Sequence, residues 1–369
     1  MDYVIVGSGI YGSLVAWELA QAGAGVQLLE ADQTAAGASG GIGKRGVRAN
    51  GRDVRELPLM RMAYERWPSL HEELGGETGF VRCGHLQLIE RDRDYLEVEA
   101  RLWLQRTHGI ETELLQADQV HAQEPALNPD IQAALFCPLD GVADHTATTL
   151  SAAEAARQAG ADIRTGFSVA EIQQSSGRAT GVITTDGEEF SADRGVILLS
   201  NSSVPHLLQA SLGLYLPVWS RYPQVIITGA IPGVTLNHLI GHAHRRLAMK
   251  NGPDGSIMIS GGWLGKAGPN GRGRPVTDQV AGNWQEAVAV LPALADATIA
   301  AVQADRLESQ SVDHIPIIDH APGLDNLYYA TGWSGHGWAI APAVSRLLAE
   351  WILSGRKPEA LEPFRFSRF

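Results

Sequence analysis

Residues 3–30 read YVIVGSGIYGSLVAWELAQAGAGVQLLE, and this stretch decides the fold. Its apolar residues predict a short strand over Tyr3–Val6, a helix from Ser8 to Ala22 and a second strand over Val26–Leu29. The helical part repeats apolar side chains at the spacing of one helix face, and Gly23 to Gly25 break it. A β-α-β unit of about 30 residues is the opening of a doubly wound α/β sheet.

The turn between the first strand and the helix carries the pattern G-x-G-x-x-G in the context that a dinucleotide-binding site requires. Gly7 permits the tight turn, Gly9 lets a pyrophosphate approach the backbone, and Gly12 lets the helix pack close to the sheet. The free N–H groups at the start of the helix, at Ile10 and Tyr11, and the helix dipole stabilise a bound diphosphate. A glycine turn without a ligand is the alternative interpretation.

The residues after the second strand distinguish between dinucleotides. Glu30 can accept hydrogen bonds from the ribose hydroxyls of an adenosine, and its charge disfavours the 2′-phosphate of NADP. The glycine-rich residues 35–52 then favour FAD over NAD, because FAD is long and needs several chain segments along its length. Among these residues Ala38, Ser39 and Gly40 could supply backbone and hydroxyl contacts to the diphosphate and the ribityl chain.

The composition is that of a soluble globular protein. The chain has 369 residues, 44% hydrophobic and 19% charged, which exceeds one simple core and favours two lobes. Its net charge of −12 disfavours nucleic acid and anionic lipid as partners. Two cysteines, Cys83 and Cys137, match no disulfide framework, and His242 with His244 lacks a third ligand, so no metal is expected. We expect a cytoplasmic enzyme, since no signal peptide or membrane span is visible.

Four stretches together resemble one known family. They are the opening run quoted above, GASGGIGKRGVRA (37–49), LPVWSRYPQVIIT (216–228) and DHIPIIDHAPGLDNLYYATGWSGHGWAIAPAVSRLLAEWI (313–352). They resemble the D-amino-acid-oxidase-like FAD oxidoreductases, especially the glycine and sarcosine oxidase branch. The order of strand, SGHG loop and helix makes the last stretch the most specific of the four.

The resemblance implies an α/β fold of two lobes with a discontinuous chain path. A glutathione-reductase-like Rossmann domain that binds FAD would use residues 1–80, 141–212 and 306–369. An inserted substrate domain, built on an antiparallel β-sheet, would use residues 81–140 and 213–305.

The C-terminal loop suits the flavin end of the cofactor. Backbone N–H groups at Gly332, Gly335 and Gly337, ahead of a helix, suit the negative charge that develops on a reduced flavin. His336 is a structural donor in one interpretation and a flavin neighbour in the other, and Trp338 follows it.

The resemblance adds four further cofactor contacts. Gly43 and Lys44 lie in the loop beside the flavin, and Val169 lies where the family's backbone contacts the adenine. Ser200 begins the turn Ser200-Asn201-Ser202-Ser203, which differs from the turn usual in the family.

The candidate catalytic residues are Arg48, Arg45, Glu308 and His336. The resemblance implies that Arg48 binds a substrate carboxylate and that Arg45 lies near the flavin or oxygen; arginine suits the former because its planar fork meets a carboxylate in two hydrogen bonds. In the alternative interpretation, both arginines are cations at the protein surface or beside the flavin and bind no substrate. Glu308 stands where the relatives have an active-site tyrosine or a carboxylate-binding arginine, and Ala339 where they have a second cation.

These residues predict an FAD-dependent oxidoreductase that takes a hydride from the carbon of a C–N bond in a small amine or amino acid, leaving an imine. The FAD is expected to be non-covalent, because Arg306 replaces the cysteine that attaches the flavin in relatives. The electron acceptor is O2 or another molecule. Residues 257–260 include no lysine that could form an oxygen site, and Lys44, Lys250 and Lys266 are only candidates for one. The alternatives are a 2-hydroxy-acid dehydrogenase or oxidase, and the flavin subunit of a multi-chain dehydrogenase; an oligomer or partner subunit stays open.

Overall fold

Two large β-sheets, one in each lobe, organise the residues that the computed structural model describes, 1–41 and 43–369. In chain order the strands are β1 (Tyr3–Val6), β2 (Val26–Glu30), β3 (Lys44–Val47), β4 (His85–Ile89), β5 (Glu113–Gln116), β6 (Ala133–Cys137), β7 (Gly141–Asp144), β8 (Asp162–Thr165), β9 (Val169–Ser175), β10 (Arg178–Thr184), β11 (Glu189–Ser191), β12 (Gly195–Leu198), β13 (Val218–Arg221), β14 (Val225–Thr228), β15 (Leu239–His242), β16 (Ala248–Asn251), β17 (Ile257–Ser260), β18 (Lys266–Ala267), β19 (Gly273–Arg274), β20 (Ile299–Gln303), β21 (Glu308–Ser311), β22 (Ile317–Ala321) and β23 (Leu324–Thr331).

The helices complete both lobes. In chain order they are α1 (Ile10–Gln21), α2 (Leu57–Arg66), α3 (Leu70–Leu74), α4 (Val98–Thr107), α5 (Ala117–Gln123), α6 (His145–Gln158), α7 (Val204–Leu212), α8 (Thr277–Val290) and α9 (Ala341–Ser354). Within the described residues, none of these helices combines the length and the apolar character that crossing a membrane requires.

The sheet of the first lobe has the strand order β22-β23-β12-β1-β2-β8. β1 pairs in parallel with β2 and β12, in registers that place Tyr3 opposite Val26 and Gly195. Its central strands β1 and β12 are apolar because α1, α6 and α9 cover one face of the sheet, while α7 and the small sheet of β9, β10 and β11 cover the other. The predicted β-α-β unit is confirmed. Its helix begins at Ile10 rather than at Ser8, because Gly9 keeps an extended backbone.

The sheet of the second lobe has the order β20-β14-β17-β16-β15-β4-β6-β5. Its strands come from two chain segments, 85–137 and 225–303, as an inserted domain requires. All its pairs are antiparallel except β15 with β4, which run parallel and lie in different segments, so no hairpin fixes their direction. The predicted mixed α/β fold is confirmed, and the domain limits stay a prediction.

One face of the second sheet packs on α8, and the other face lies against the chain around β3. A Cβ atom built on Gly43 would lie 3.1 Å from Sδ of Met258, and one built on Gly46 would lie 2.9 Å from Leu239. Further along, Gly51 lies against Gln87. Side chains at Gly43 and Gly46 would require Met258 and Leu239 to shift. The glycine-rich composition of this stretch therefore follows from the close approach of backbone and sheet.

Trp67, which follows α2, joins the first lobe to the C-terminal segment. Its side chain is fully buried, and its Nε1 donates a hydrogen bond of 2.8 Å to the carbonyl oxygen of Ala339. We predict that Trp67→Phe keeps much of the apolar contact but leaves that carbonyl without its donor, lowering the free energy of unfolding by about 1–3 kcal/mol. Urea denaturation measures the change.

Trp103→Phe is the matched control. The Trp103 side chain is 67% exposed, so its substitution is expected to change the free energy of unfolding by no more than about 0.5 kcal/mol. Equal unfolding midpoints for the two variants would contradict the prediction.

Candidate active site

A cleft of about 400 Å³ runs along the carboxyl ends of β1 and β12 and continues towards β3 and the loop after β23. Sequence-predicted residues that line it are Gly7, Gly9, Ile10, Tyr11, Glu30, Ala38, Ser39, Val169, Ser200, Gly335, Gly337, Trp338, Arg45 and Glu308. Those outside the lining are Gly12, Gly40, Gly43, Lys44, Gly332, His336 and Arg48. The cleft therefore brings the opening motif and the late loop together, as the sequence analysis predicts, while the role of each residue stays a prediction.

The glycine motif positions the start of α1 at the cleft. A Cβ atom on Gly12 would overlap the carbonyl oxygen of Gly7, so helix and turn meet only because Gly12 has no side chain. A Cβ atom on Gly9 would meet no atom within 4 Å and would project into the open cleft. The space in front of Gly9, beside free N–H groups of a helix N-terminus, is a cradle that fits a diphosphate.

Glu30 is held in place at the end of β2. Its Oε2 accepts hydrogen bonds from the backbone N–H of Ser8, at 2.7 Å, and from the Ser8 hydroxyl, while Oε1 accepts from the N–H of Asp32 at 3.1 Å. The carboxylate lines the cleft on the side of Val169, where the ribose and adenine of a dinucleotide would lie. Together with Gly9, these residues fit FAD.

Tyr11 connects the first turn of α1 to the C-terminal loop. Its ring stacks on Trp333 with 3.8 Å between the ring centroids, and its hydroxyl donates a 2.5 Å hydrogen bond to the carbonyl oxygen of Gly337. From the sequence, Tyr11 was expected to contribute only its backbone N–H. The aromatic residue types at Tyr11 and Trp333, beside the two glycine motifs, were the signal that the sequence contained.

Arg45 enters the cleft from β3. One terminal nitrogen, Nη2, donates to the carbonyl oxygens of Ser39, at 3.0 Å, and of Gly41, and the other, Nη1, is buried with no hydrogen-bond partner among the described residues. Burial lowers the pKa of Arg45 to about 10, and the carboxylates of Asp144 and Glu308 oppose the shift, so the guanidinium stays charged at neutral pH. A buried charged donor without an acceptor is costly unless a ligand satisfies it.

Glu308 ties two parts of the cleft together. Its Oε2 accepts a 2.6 Å hydrogen bond from the hydroxyl of Ser39, and its Oε1 accepts a 3.0 Å hydrogen bond from the N–H of Gly335. The side chain is thereby fixed between the flavin-side loop and the C-terminal loop. This geometry indicates a positioning role for Glu308.

Arg48 and His336 lie at a second cavity of about 180 Å³, away from the large cleft. Arg45 and Arg48 are three residues apart, and side chains at an odd spacing in an extended chain project to opposite faces. Arg48 donates a 2.6 Å hydrogen bond to the carbonyl oxygen of Asn50, and burial lowers the pKa of Arg48. The assignment of Arg48 to a substrate carboxylate stays a prediction, and the geometry favours Arg45.

The His336 ring belongs to a polar network of this second cavity. Its Nδ1 lies 3.3 Å from Glu56, its Nε2 lies 3.0 Å from the carbonyl oxygen of His314, and Arg52 donates a 2.6 Å hydrogen bond to the His336 carbonyl. These contacts fix the SGHG loop from behind. They agree with the interpretation of His336 as a structural donor.

One titratable residue of the cleft, His145, was not singled out from the sequence, whereas Lys250, a candidate for an oxygen site, does not line the cleft. His145, the first residue of α6, lines the cleft, and burial lowers its pKa to about 4, with a further contribution from the Arg45 charge, so the ring is neutral at pH 7. Lys250 of β16 is 8% exposed, and burial together with the Arg45 charge lowers its pKa to about 7. Lys250 pairs with Met258 of β17, the strand whose residues 257–260 include no lysine, and its role as an oxygen site stays a prediction.

Glu90, His242 and His244 lie close enough together to suggest a metal site. The Nδ1 atom of His242 accepts hydrogen bonds from the N–H groups of His244 and Arg245, at 3.3 and 3.4 Å, which leaves the proton on Nε2. Arg245 also binds Glu90 at 2.8 Å. The hydrogen bonds are thus those of an ion-pair network.

Comparison with known proteins places this geometry in context. A family model described as FAD dependent oxidoreductase (DAO) matches residues 2–351. The chain is 26% identical over 377 residues to the sarcosine oxidase subunit beta of Rhizobium meliloti (strain 1021), covering 100% of the chain and 88% of that protein. It is 29% identical over 366 residues to the glycine oxidase of Pseudomonas aeruginosa, covering 96% and 95%. Some other curated relatives are longer, and the chain spans 44%, 45% and 43% of three of them.

A solved structure shows the same fold over the whole chain. The L-proline dehydrogenase from P. horikoshii superimposes with a TM-score of 0.89 at 26% identity, covering 100% of this chain and 98% of that one.

Gly9 and Gly12 form a matched pair for testing the cofactor cradle. We predict that Gly9→Ala leaves the thermal stability of the FAD-free protein unchanged but weakens FAD binding by at least about tenfold, because the methyl group occupies the open cradle. Gly12→Ala is expected to lower stability as well, because its methyl group overlaps Gly7. Thermal unfolding and fluorescence titration with FAD measure the two effects; unchanged FAD affinity in Gly9→Ala would contradict the assignment.

Proposed function

The chain belongs to the family of FAD dependent oxidoreductases, and we propose that it oxidises the C–N bond of a small primary or secondary amine or amino acid. The observation that carries the proposal is the buried Arg45 cation at the flavin end of the cleft, with one guanidinium nitrogen free of protein partners within the described residues. Relatives named as sarcosine oxidase subunit beta and glycine oxidase support the substrate class.

FAD held along the cleft by Gly9, Glu30 and the loops around Ser39 and Gly335 would supply the redox chemistry, which is acceptance of a hydride from the carbon next to the amine nitrogen, and the resulting imine is hydrolysed by water. The protein would hold and shield the reacting atoms. Trp333 and Trp338 line the flavin end with apolar surface, which excludes water, and Glu308 fixes the two loops on either side. The Arg45 cation disfavours a protonated amine beside it and so favours the neutral amine that can give up a hydride.

Two features support non-covalent FAD. Arg306 stands at the position where the resemblance places the flavin-linking cysteine. The two cysteines of the chain lie elsewhere: Cys83 is half-buried and Cys137 is buried, and neither lines the cleft.

The function is tested by mixing the FAD-loaded protein with candidate substrates without oxygen. We predict that secondary or primary amino acids or amines bleach the yellow flavin band, and that the matching 2-hydroxy acids do not. The product is an imine, so its hydrolysis releases an aldehyde or keto acid together with the free amine or ammonia. Bleaching by hydroxy acids alone would refute the proposal.

The reoxidation step separates an oxidase from a dehydrogenase. Oxygen is added after reduction, and the return of the yellow colour is timed with and without an artificial electron acceptor. Because one relative is named as a subunit, the same assay is run on protein purified under conditions that keep any bound partner.

Acid precipitation tests how the flavin is attached. We predict that the supernatant of the acid-precipitated holoprotein contains all of the flavin and the pellet none, because no thioether joins FAD to the chain. Colour that stays in a pellet washed with denaturant would contradict the prediction. Apoprotein reloaded with FAD is the control for complete recovery.

A further inference from the structure

A short hairpin of β18 and β19 concentrates positive charge on a chain whose net charge is −12. It carries the exposed cations Lys266, Arg272 and Arg274, and a further exposed cation, Arg246, binds the segment that leads into the hairpin. Among the described residues, none of these cations forms an ion pair with a carboxylate. We call Arg246, Lys266, Arg272 and Arg274 the basic rim.

The basic rim differs from exposed cations elsewhere on the molecule. Arg157 and Arg346 project from helices, and each lies beside a carboxylate of its own helix, at 3.5 and 3.4 Å. Such pairs cancel much of the local field, whereas the basic rim has no carboxylate of this kind within the described residues. It therefore presents a local positive surface that attracts anionic partners from solution.

Tyr222 holds the hairpin in a defined position. The Tyr222 hydroxyl donates a 2.9 Å hydrogen bond to the carbonyl oxygen of Gly271, and the Tyr222 carbonyl oxygen accepts a 2.8 Å hydrogen bond from the N–H of Gly265. A Cβ atom on Gly273 would overlap the Tyr222 ring, so this contact requires a glycine. A surface that is ordered before binding loses less conformational entropy when a partner docks on it.

Arg246 is ordered by Trp263, which precedes the hairpin. The Arg246 guanidinium lies over the Trp263 ring, 4.5 Å from its centroid, and donates a hydrogen bond to the carbonyl oxygen of Gly262. The Trp263 Nε1 atom donates a 2.7 Å hydrogen bond to the Arg246 carbonyl oxygen. Arginine and tryptophan are the residue types enriched where proteins bind each other. The basic rim therefore combines positive charge with aromatic surface.

The support of the hairpin adjoins the flavin end of the cleft. Tyr222 directly follows Arg221 of β13, whose Nη2 atom donates a 3.2 Å hydrogen bond to the carbonyl oxygen of Ser334. The backbone of Arg221 pairs with Glu308. Glu308 and Gly335, the residue after Ser334, both line the cleft. One residue, Arg221, thus lies between the support of the hairpin and the loop at the flavin end.

We propose that the basic rim docks an acidic electron-carrier protein, which takes the electrons of the reduced flavin. This inference rests on the proposed function and names the partner that completes its cycle. Hydride transfer gives the flavin two electrons and one proton. On reoxidation the flavin would release that proton to solvent and pass the electrons singly to two carrier molecules, each of which is reduced by one electron.

The small size of the basic rim fits such a carrier. Encounters between redox proteins bury little surface, and complementary charge steers them. A membrane or a nucleic acid would extend beyond the rim and meet the rest of a molecule whose net charge is −12, which repels it. A small acidic protein can contact the rim alone.

The test follows reoxidation of the FAD-loaded protein without any substrate. Light and EDTA reduce the flavin in the absence of oxygen, and the protein is then mixed with an acidic haem protein, the soluble domain of cytochrome b5. Haem absorbance reports each transferred electron. We expect the rate to fall at least about tenfold between about 10 and 300 mM salt, because salt screens the attraction to the rim. The net charge alone predicts the opposite, since two acidic proteins repel each other.

Two double variants separate the rim from the net charge. Lys266→Glu combined with Arg274→Glu is expected to slow cytochrome reduction at low salt by at least about tenfold. Arg93→Glu combined with Arg356→Glu changes the net charge equally, at exposed cations outside the rim, and is expected to slow it less than about twofold.

A small neutral acceptor shows whether the flavin itself is unaltered. Both double variants are expected to reduce 1,4-benzoquinone at the rate of the unaltered protein, because a neutral molecule does not depend on the charge of the rim. FAD content and circular dichroism show whether each variant is folded. Glutamine replaces glutamate at positions 266 and 274 if the charge-reversed protein does not fold.

Four results would overturn the inference. They are a cytochrome rate that does not fall with salt, equal slowing in the two double variants, equal slowing of benzoquinone and cytochrome reduction in the rim variant, or rim-dependent binding to vesicles of anionic lipid with an unchanged cytochrome rate. The last result would assign the rim to a membrane surface.

The outcome is separate from that of the bleaching assay, because light and not an amine reduces the flavin. Cytochrome reduction that depends on the rim, in a protein that no amine bleaches, would refute the proposed function alone. Bleaching by amines without any dependence of cytochrome reduction on the rim would refute this inference alone.

Discussion

The stacking of Tyr11 on Trp333 is the contact on which the shape of the cleft depends. Tyr11 belongs to the first turn of the first helix and Trp333 to the loop after the last strand, yet their rings lie 3.8 Å apart. The Tyr11 hydroxyl is buried and needs a partner, which it finds in the carbonyl oxygen of Gly337. This contact brings the two ends of the chain to one cleft, where a long dinucleotide can contact both.

The two cavities differ in whether their buried cations have hydrogen-bond acceptors, and this difference indicates different roles. In the small cavity Arg52 binds Glu56 at 3.2 Å and the His336 carbonyl, and Arg48 binds the Asn50 carbonyl, so these cations stabilise the loop behind the cofactor. In the large cleft, the Nη1 atom of Arg45 is buried with no acceptor among the described residues. A ligand gains most where the protein has left donors unsatisfied, because it removes a desolvation cost that the fold already bears.

Local sequence patterns were sufficient to predict much of the fold and of the cofactor cradle. The strand, turn and helix from Tyr3 to Gln21 depend on side chains near in sequence, and Gly7, Gly9 and Glu30 all line the cleft as expected. The flavin end was harder, since the resemblance assigned a substrate carboxylate to Arg48. Arg45 lies in β3 and Arg48 directly after it, and their side chains lie at two different cavities.

The sequence by itself determined the Rossmann unit, the nucleotide motif and the family, because each depends on residues whose spacing along the chain fixes the local backbone geometry. Only the tertiary structure decided which cations line the cleft: Arg45 does, and Arg48 lies at the second cavity. Lys250 and Arg45 lie more than two hundred residues apart in the chain, and their approach depends on how the second sheet packs against the glycines of residues 43–46. Burial, which lowers the pKa of both groups, is a property of that packing and not of either segment alone.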